Sequence, residues 1–316
     1  MKKIIIGLTA AFITSQSMAG VIRHDVNEQA YLDLAQNAQF DPVGRLLFNN
    51  SQGRFICSGT LISDQFVLTA AHCLDDSQTS DVTFDVGGNR YNGERWRVHQ
   101  NWDPLGSLFA GWDIALLKLD SIVDNVTAAN LYTGNSELGQ IGTHVGFGAS
   151  GDGLTGSVLP PGTKRAGLNE IDEFNLAGEG HDRILWNDFD APLGIDPTLS
   201  PLLMQDQAYL ENPIAAFGRV SGTALDLEYI IGGGDSGGGY FLEENGRWFV
   251  AGVHSFGASI DGATDDTYGD FSGSTRVSSF VDWIGRTQQS LAIPEPNTVM
   301  LLALSLFGLS RIRQKN

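Results

Sequence analysis

Positive charge is scarce in this chain. Its 316 residues hold 19 Lys and Arg against 37 Asp and Glu, which gives a formal net charge of −18. This balance argues against nucleic acid as a partner, because phosphate backbones are held by clustered Lys and Arg. Charged residues of both signs amount to 18% and hydrophobic residues to 42%, a composition that excludes a disordered chain and a coiled coil.

Apolar runs long enough to span a membrane are also missing. The run near the N-terminus extends from Ile4 to Ile13, which is too short to cross ~30 Å of hydrocarbon. It follows two lysines and precedes small residues at positions 17 and 19, which is typical of a secretory signal peptide. We therefore predict that residues 1–19 are cleaved and that Gly20 becomes the N-terminus. An uncleaved membrane anchor is the alternative.

The C-terminal end has a second short apolar run. Pro294-Glu295-Pro296 precedes an apolar stretch over 299–309 and three basic residues. This arrangement resembles the PEP-CTERM sorting signal of Gram-negative bacteria, and a tail that docks on the domain is the alternative. The resemblance implies that the tail (292–316) contacts the membrane transiently and that the protein is exported, either secreted or held at the cell surface or extracellular matrix. Without both ends, residues 20–296 carry 14 basic and 37 acidic side chains, a net charge of −23.

Cysteine is nearly absent, and the two residues present are Cys57 and Cys73. In an exported protein such a pair predicts one disulfide, whereas two free thiols are the alternative. The bond would close a loop of about 15 residues and contribute roughly 3 kcal/mol in the chain-entropy model.

Short strands dominate what is there. Apolar stretches near 43–48, 55–62, 66–71, 82–86, 96–99 and 114–119 are separated by Gly, Asn and Asp, and a second set begins near 143. The acidic, proline-containing stretch 177–213 is predicted to be a long loop. Val277, Phe280, Val281 and Ile284 follow helical spacing. We therefore predict an all-β chain of two antiparallel units, 20–142 and 143–291, with a terminal helix in the second.

The strongest chemical motif is the glycine-rich stretch 232–239, which contains Asp235 and Ser236. Glycines let the backbone bend sharply and approach a substrate closely, and its amides can stabilise an oxyanion. The motif also satisfies G-x-S-x-G, the nucleophile elbow of α/β-hydrolases. That fold places its acid and its histidine after the serine, but only 80 residues follow Ser236 here.

The opposite chain order, His before Asp before Ser, is present. His72 ends an apolar strand in Thr69-Ala70-Ala71-His72-Cys73, and Asp113 begins another in Gly111-Trp112-Asp113-Ile114-Ala115. With Ser236, these segments resemble the trypsin/chymotrypsin family of serine peptidases over about 43–286. The resemblance implies two packed Greek-key β-barrels and no metal or organic cofactor. It also matches the cysteine pair to the family disulfide around the histidine loop.

The resemblance also assigns roles, which are carried over from the family. Ser236 is the nucleophile, His72 the general base and Asp113 the residue that orients His72. The N–H groups of Gly234 and Ser236 form the oxyanion hole. Asp235 is expected to pair with the new N-terminal amine near Val21.

The substrate pocket follows from the same resemblance. Ile230, six residues before the serine, is expected at the floor of the pocket, which predicts a neutral or apolar P1 side chain. Ser255-Phe256-Gly257 would form one wall and Ser272 the other. Asp226 and Glu228 lie close enough in sequence for a shifted loop to present an acid instead. The partners expected are protein or peptide substrates, and the chain is expected to be a monomer.

Other residues are expected to have ordinary structural roles. The remaining histidines show no paired spacing for a metal: His24, His99, His144, His181 and His254. Asp261, Asp265, Asp266 and Asp270 lack the spacing of a known Ca²⁺ loop, and a solvated acidic loop is predicted there. Two rival functions stay open: a catalytically silent relative that binds peptides or matrix polysaccharide, and an esterase with the same triad.

Overall fold

A computed structural model describes residues 20–174, 180–199, 224–258 and 266–293. The predicted signal peptide, the sorting tail from residue 294, much of the 177–213 stretch, Asp261 and Asp265 lie outside the described residues. Within the described part, no helix is both long and apolar enough to cross a membrane.

The described chain begins with strand β1 (Gly20–Ile22) and helix α1 (Glu28–Ala35). The helix was not predicted from the sequence, since it is only 8 residues long. Its N-terminus is capped by the Asn27 side chain, which accepts a hydrogen bond from the Gln29 amide. Its inner face buries Tyr31 and Ala35. Packing against the body of the protein thus stabilises a helix that would be marginal alone.

The first half of the chain forms a closed antiparallel barrel of six strands. The strands are β2 (Val43–Asn50), β3 (Gly53–Leu61), β4 (Phe66–Thr69), β5 (Ser80–Val86), β6 (Asn89–Val98) and β7 (Ala115–Leu119). They pair in the order β2-β3-β4-β7-β6-β5, and β5 closes the barrel on β2. Val82, Phe84 and Val86 alternate with more exposed residues along β5, as expected for a strand with one face in the core.

The second half forms a barrel-like sheet, with a small sheet beside it. Its remaining strands are β8 (Asn130–Leu131), β9 (Ile141–Gly146), β10 (Ser150–Asp152), β11 (Gly156–Leu159), β12 (Arg165–Glu170), β13 (Ile184–Asp188), β14 (Tyr229–Ile230), β15 (Gly239–Glu244), β16 (Arg247–Ala258) and β17 (Phe271–Arg276). The large sheet runs β12-β9-β15-β16-β17-β13, with β8 parallel to β16. The small sheet runs β11-β10-β1-β14.

Strand β1 therefore lies with the second half of the chain. Gly20 pairs with Ser150 on β10, and Val21 pairs with Ile230 on β14. The predicted boundary at 142 had grouped residues 20–22 with the first barrel. This pairing joins residues more than 100 positions apart, so no local pattern could reveal it.

The described part of the chain ends with a helix that packs against the first barrel. Residues Val277–Phe280 form a 3₁₀ turn, and helix α2 (Val281–Ala292) follows it. Trp283, Ile284 and Leu291 are buried in the same core cluster as the strands of the first barrel. The predicted all-β class, with two barrel-like sheets and a C-terminal helix, is confirmed.

Candidate active site

His72 is held in a short rigid segment. Strand β4 ends at Thr69, and a 3₁₀ turn over Ala71–Cys73 carries the histidine out of the core. The predicted disulfide is confirmed: Cys73 is bonded to Cys57 on β3, with the two Cα atoms 6.4 Å apart. Both cysteines are buried, while the His72 side chain keeps 31% of its exposure. The anchored turn thus presents one imidazole to solvent.

Asp113 is fully buried just before β7 and fully engaged by donors. The His72 amide donates to Oδ1 at 2.9 Å, and the His72 ring Nδ1 lies 2.7 Å from Oδ2. The Ser255 hydroxyl donates to the same Oδ2. A buried carboxylate needs such partners, because desolvation of an unpaired charge is costly. The aspartate is therefore built to hold the histidine ring in one orientation.

The titration of the pair follows from this contact. Burial alone would lower the pKa of His72, but the charge of Asp113 and their hydrogen bond outweigh burial and raise that pKa above its usual 6.5. Burial alone would raise the pKa of Asp113, but the His72 charge and the hydrogen bonds from His72 and Ser255 outweigh it and lower that pKa. The pair therefore stabilises a positive imidazolium beside a negative carboxylate.

Ser236 lies in a loop whose conformation requires glycine. Gly234 and Gly237 have φ of 102° and 82°, a region that L side chains rarely adopt. A Cβ at Gly237 would also lie 2.1 Å from the hydroxyl oxygen of Thr69. The glycines around Ser236 therefore form one tight, packed turn.

Ser58 braces this loop and was missed by the sequence analysis. Its amide donates to the Ser236 carbonyl at 2.8 Å, and its hydroxyl donates to the Gly234 carbonyl at 3.0 Å. The same hydroxyl accepts from the Phe147 amide at 2.9 Å. No local signal marks Ser58, because its partner Gly234 lies 176 residues further along the chain.

A single cleft brings these segments together. It has a volume of about 860 Å³, and both His72 and Ser236 line it. Ser255, Phe256 and Gly257, predicted to form one wall, also line it. The structure thus places His72 and Ser236 along one cleft, with Asp113 hydrogen-bonded to His72.

Two predicted pocket residues lie elsewhere. Ile230 is fully buried in β14 and packs with Val21, Phe189 and Tyr268. Ser272 is fully buried on β17. The neighbouring Ile231 lines the cleft instead.

One acidic residue that lines the cleft follows Ser236 in the sequence, whereas Asp226 and Glu228 precede it. Asp266 lines the cleft and is only 7% exposed, whereas the sequence analysis had assigned it to a solvated loop. Asp226 and Glu228, which the sequence analysis considered as alternative acids, are absent from the lining of this cleft.

Asp235, the residue that precedes Ser236, is fully buried. Its carboxylate accepts from the amides of Gly148 at 2.7 Å and Gly232 at 2.9 Å, and from the hydroxyl of Tyr229 at 3.2 Å. Burial raises the pKa of Asp235 to about 6, although these hydrogen bonds act in the opposite direction. A carboxylate with this pKa is one that a nearby cation would stabilise.

Gly20 reaches the same place from β1. A Cβ at Gly20 would lie 1.8 Å from the hydroxyl oxygen of Tyr229, so only glycine fits there. That hydroxyl is the one that donates to Asp235. The predicted N-terminal residue therefore packs against the phenol group that is hydrogen-bonded to Asp235.

Fold and site together define a class: two barrel-like β-sheets with a His–Asp pair and a glycine-held serine in one cleft. Residues 35–166 match the family model described as Trypsin, and residues 292–314 match the PEP-CTERM protein-sorting motif. The match to the Trypsin model covers His72 and Asp113 and ends before Ser236. The assignment of Ser236 therefore depends on its own motif and on the geometry of its loop.

Known proteins extend the match. Chymotrypsin-C of Bos taurus is 27% identical over 260 residues, which span 75% of this chain and 79% of that protein. Thrombin-like enzyme CPI-enzyme 2 of Gloydius ussuriensis is 30% identical over 163 residues, or 46% of this chain and 54% of the enzyme. The solved HL collagenase is similar in fold, with a TM-score of 0.54 and 22% identity, covering 82% of this chain and 96% of that chain. The predicted resemblance to the trypsin/chymotrypsin family of serine peptidases is therefore confirmed.

Proposed function

We propose that this protein is an exported serine endopeptidase that hydrolyses peptide bonds through an acyl-enzyme on Ser236. The observation that carries the proposal is the hydrogen bond between the buried Asp113 and His72, together with the cleft that His72 and Ser236 both line. A binding protein needs no buried carboxylate to orient a histidine, so this arrangement favours catalysis over the silent relative.

The proposed reaction uses the groups of the cleft in sequence. His72 takes the hydroxyl proton of Ser236 as the oxygen attacks the peptide carbonyl, and it then donates that proton to the leaving amine. Asp113 stabilises the imidazolium between these two transfers. Water repeats the cycle to release the acid product and restore Ser236.

The tetrahedral intermediate needs donors for its negative oxygen. We assign this role to the backbone N–H groups of Gly234 and Ser236. The hydrogen bonds from Ser58 to the carbonyl groups of Gly234 and Ser236 support this assignment, because they fix the loop before the substrate binds. Such preorganised donors are worth about 3 kcal/mol each in the transition state.

We also propose that the amine of Gly20, freed when residues 1–19 are removed, becomes the cation that neutralises Asp235. Three features support this: the register of Val21 with Ile230, the contact of Gly20 with Tyr229, and the raised pKa of Asp235. N-terminal sequencing of the active protein tests it. A first residue well downstream of Ile22 would contradict the proposal.

The matched sorting motif indicates export to the surface or extracellular space of a Gram-negative bacterium. We propose that the tail contacts the membrane only transiently. Cell fractionation with an antibody against residues 20–174 would find the protein outside the cytoplasm. Stable retention in the membrane would contradict the transient contact.

For specificity we propose neutral or apolar P1 residues. Ile231 and Phe256 supply apolar surface to the cleft beside Ser236. Asp266 also lines the cleft, and its carboxylate would instead favour a basic P1 residue. Lys or Arg at P1 would therefore point to Asp266 and overturn the apolar proposal.

Digestion of a diverse peptide library by the exported protein, read by mass spectrometry, tests function and specificity together. Ser236→Ala is the matched control, since it removes one oxygen and nothing else. Cleavage by the wild type alone supports the peptidase, and the residue before each cut identifies P1. An amide substrate left intact while its matching ester is cleaved would indicate the esterase. If neither the wild type nor Ser236→Ala cleaves any substrate, the result would favour the catalytically silent binding protein.

A further inference from the structure

The two donors of the proposed oxyanion hole belong to two peptide groups, and each group can be oriented through its carbonyl. A peptide group is planar and trans, so its N–H and its C=O point in opposite directions. The N–H of Gly234 is fixed with the carbonyl of Gly233, and the N–H of Ser236 with the carbonyl of Asp235. Whatever holds these carbonyl oxygens therefore aims the donors. The role of these two N–H groups as donors to an oxyanion rests on the proposed function.

The two carbonyl oxygens are held differently. The Gly233 oxygen accepts from the backbone amide of Ala149 at 2.7 Å. The Asp235 oxygen accepts from the backbone amide of Gly238 at 2.8 Å, and the Nδ1 atom of the His254 ring lies 3.3 Å from it. A side chain thus contacts the peptide group that supplies the Ser236 donor.

His254 is also tied to the loop through its backbone. Its carbonyl accepts from the Gly237 amide at 2.8 Å, and its amide donates to the Gly238 carbonyl at 3.0 Å. The ring is fully buried beneath the loop. Any rotation of the Asp235–Ser236 peptide would therefore break contacts to a residue that cannot move with it.

A second histidine decides the protonation of this ring. A carbonyl oxygen only accepts, so His254 must carry its proton on Nδ1 to bond Asp235. The Nε2 atom of His254 is then an acceptor, and Nδ1 of His144 lies 3.0 Å from it. His144 must therefore donate from Nδ1. Its own Nε2 is left as a bare acceptor, and that atom has no hydrogen-bond partner among the described residues.

The surroundings keep both rings neutral. His144 is stacked on Tyr240 at 3.9 Å between ring centroids and faces Tyr229 at 5.9 Å. Burial lowers the pKa of His254 to about 3, and burial together with His254 lowers the pKa of His144 well below 6.5. The pair therefore has a single proton arrangement in the pH range where His72 can act as a base.

We propose that His254, oriented by His144, is a positioning residue of the oxyanion hole. Its Nδ1–H holds the Asp235 carbonyl so that the Ser236 N–H faces the substrate carbonyl. His144 acts indirectly, through His254. Its Nδ1–H prevents His254 from adopting the tautomer whose Nδ1 carries no proton and cannot donate to the Asp235 carbonyl.

Kinetics of full-chain variants test the catalytic part. His254→Leu removes the donor, whereas His254→Asn keeps an N–H near the position of Nδ1. We expect His254→Leu to lower kcat by about 10- to 100-fold, somewhat less than removal of an oxyanion donor, with KM changed by less than about threefold. His254→Asn should recover most of kcat, and His144→Leu should lower kcat in the same way.

A matched control separates positioning from loss of a buried histidine. His99 is also buried, and its ring packs among Trp112, Phe280 and Trp283. His99→Leu should change the urea midpoint as His254→Leu does while leaving kcat near wild type. Wild-type kcat in His254→Leu, or equal losses in the Leu and Asn variants, would overturn the inference.

A measurement independent of turnover distinguishes this inference from the proposed function. Side-chain ¹⁵N NMR of the wild-type protein should show the proton on Nδ1 of both His144 and His254. A proton on Nε2 of His254 would overturn the inference even in an active enzyme. If the wild type cleaves no peptide but both histidines carry Nδ1 protons, the proposed function fails and the assigned hydrogen-bond chain stands.

Discussion

Asp113→Asn is the substitution whose effect the site geometry defines most sharply. The aspartate offers acceptors to three donors: the His72 amide, the His72 ring and the Ser255 hydroxyl. Asparagine has the same shape but only one acceptor oxygen, and its NH₂ group can only donate. With Oδ1 kept on the His72 amide, the NH₂ group faces the His72 ring nitrogen. That nitrogen must then accept, so the ring proton moves to Nε2.

This tautomer cannot act as the base for Ser236, because Nε2 already carries a proton. The same change in this type of triad lowers kcat by about 10⁴, and we take that magnitude over from the family. It corresponds to about 5.5 kcal/mol of lost transition-state stabilisation at 1.36 kcal/mol per factor of ten. Folding stability should change much less, since the substitution also removes a buried charge.

The assay is steady-state amide hydrolysis across pH, with Asp103→Asn as a surface control. In the wild type the raised pKa of His72 means that kcat/KM falls as the pH drops through a value above 6.5. Without the Asp113 charge, burial lowers the His72 pKa, so the residual activity should persist to lower pH. A loss of kcat below tenfold with an unmoved acid limb would refute the orienting role of Asp113.

Three further outcomes follow from the structure. Cys57→Ala with Cys73→Ala should lower the free energy of unfolding by roughly 3 kcal/mol, read from urea denaturation; loss below about 1 kcal/mol would contradict the chain-entropy argument. Gly237→Ala should abolish activity and destabilise the fold by more than ~2 kcal/mol, because its Cβ would lie 2.1 Å from a hydroxyl oxygen at φ 82°; a wild-type urea midpoint would contradict this. In the chain that retains residues before Gly20, the raised pKa of Asp235 gives stability that is complete below pH 3.8 and lost as pH rises through about 6. Cleavage that frees the Gly20 amine should remove this loss, and an identical pH dependence of the urea midpoint before and after cleavage would argue against the amine pairing.

Sequence reasoning worked where short segments carry their own signal. The glycines around Ser236, the apolar strand that ends at His72 and the two cysteines each follow from local chemistry, and the all-β class follows from the spacing of the strands. The terminal helix was also predicted, although its first turn is 3₁₀. Helix α1 was missed because its 8 residues depend on a cap and on burial against the body of the protein.

The details of the cleft could not be predicted in the same way. Ile230 was expected at the pocket floor by counting from Ser236, yet its side chain packs with Val21 in the small sheet. Counting along the chain locates a residue on a strand, but the face on which it lies depends on the pairing partner. Asp266 lies in the cleft although its sequence neighbours indicated only an acidic loop.

The sequence alone was thus enough to predict which residues would supply the chemistry, because nucleophile, base and disulfide motifs are local patterns with a fixed chain order. The contacts that support those residues emerge only in the folded protein. The contacts of Ser58 with Gly234, of Gly20 with Tyr229 and of His144 with His254 join segments 110 or more residues apart. Such contacts form when two apolar surfaces pack together, because the polar groups buried with them need hydrogen-bond partners. Which partners are available depends on the packing of the whole core and not on the local sequence.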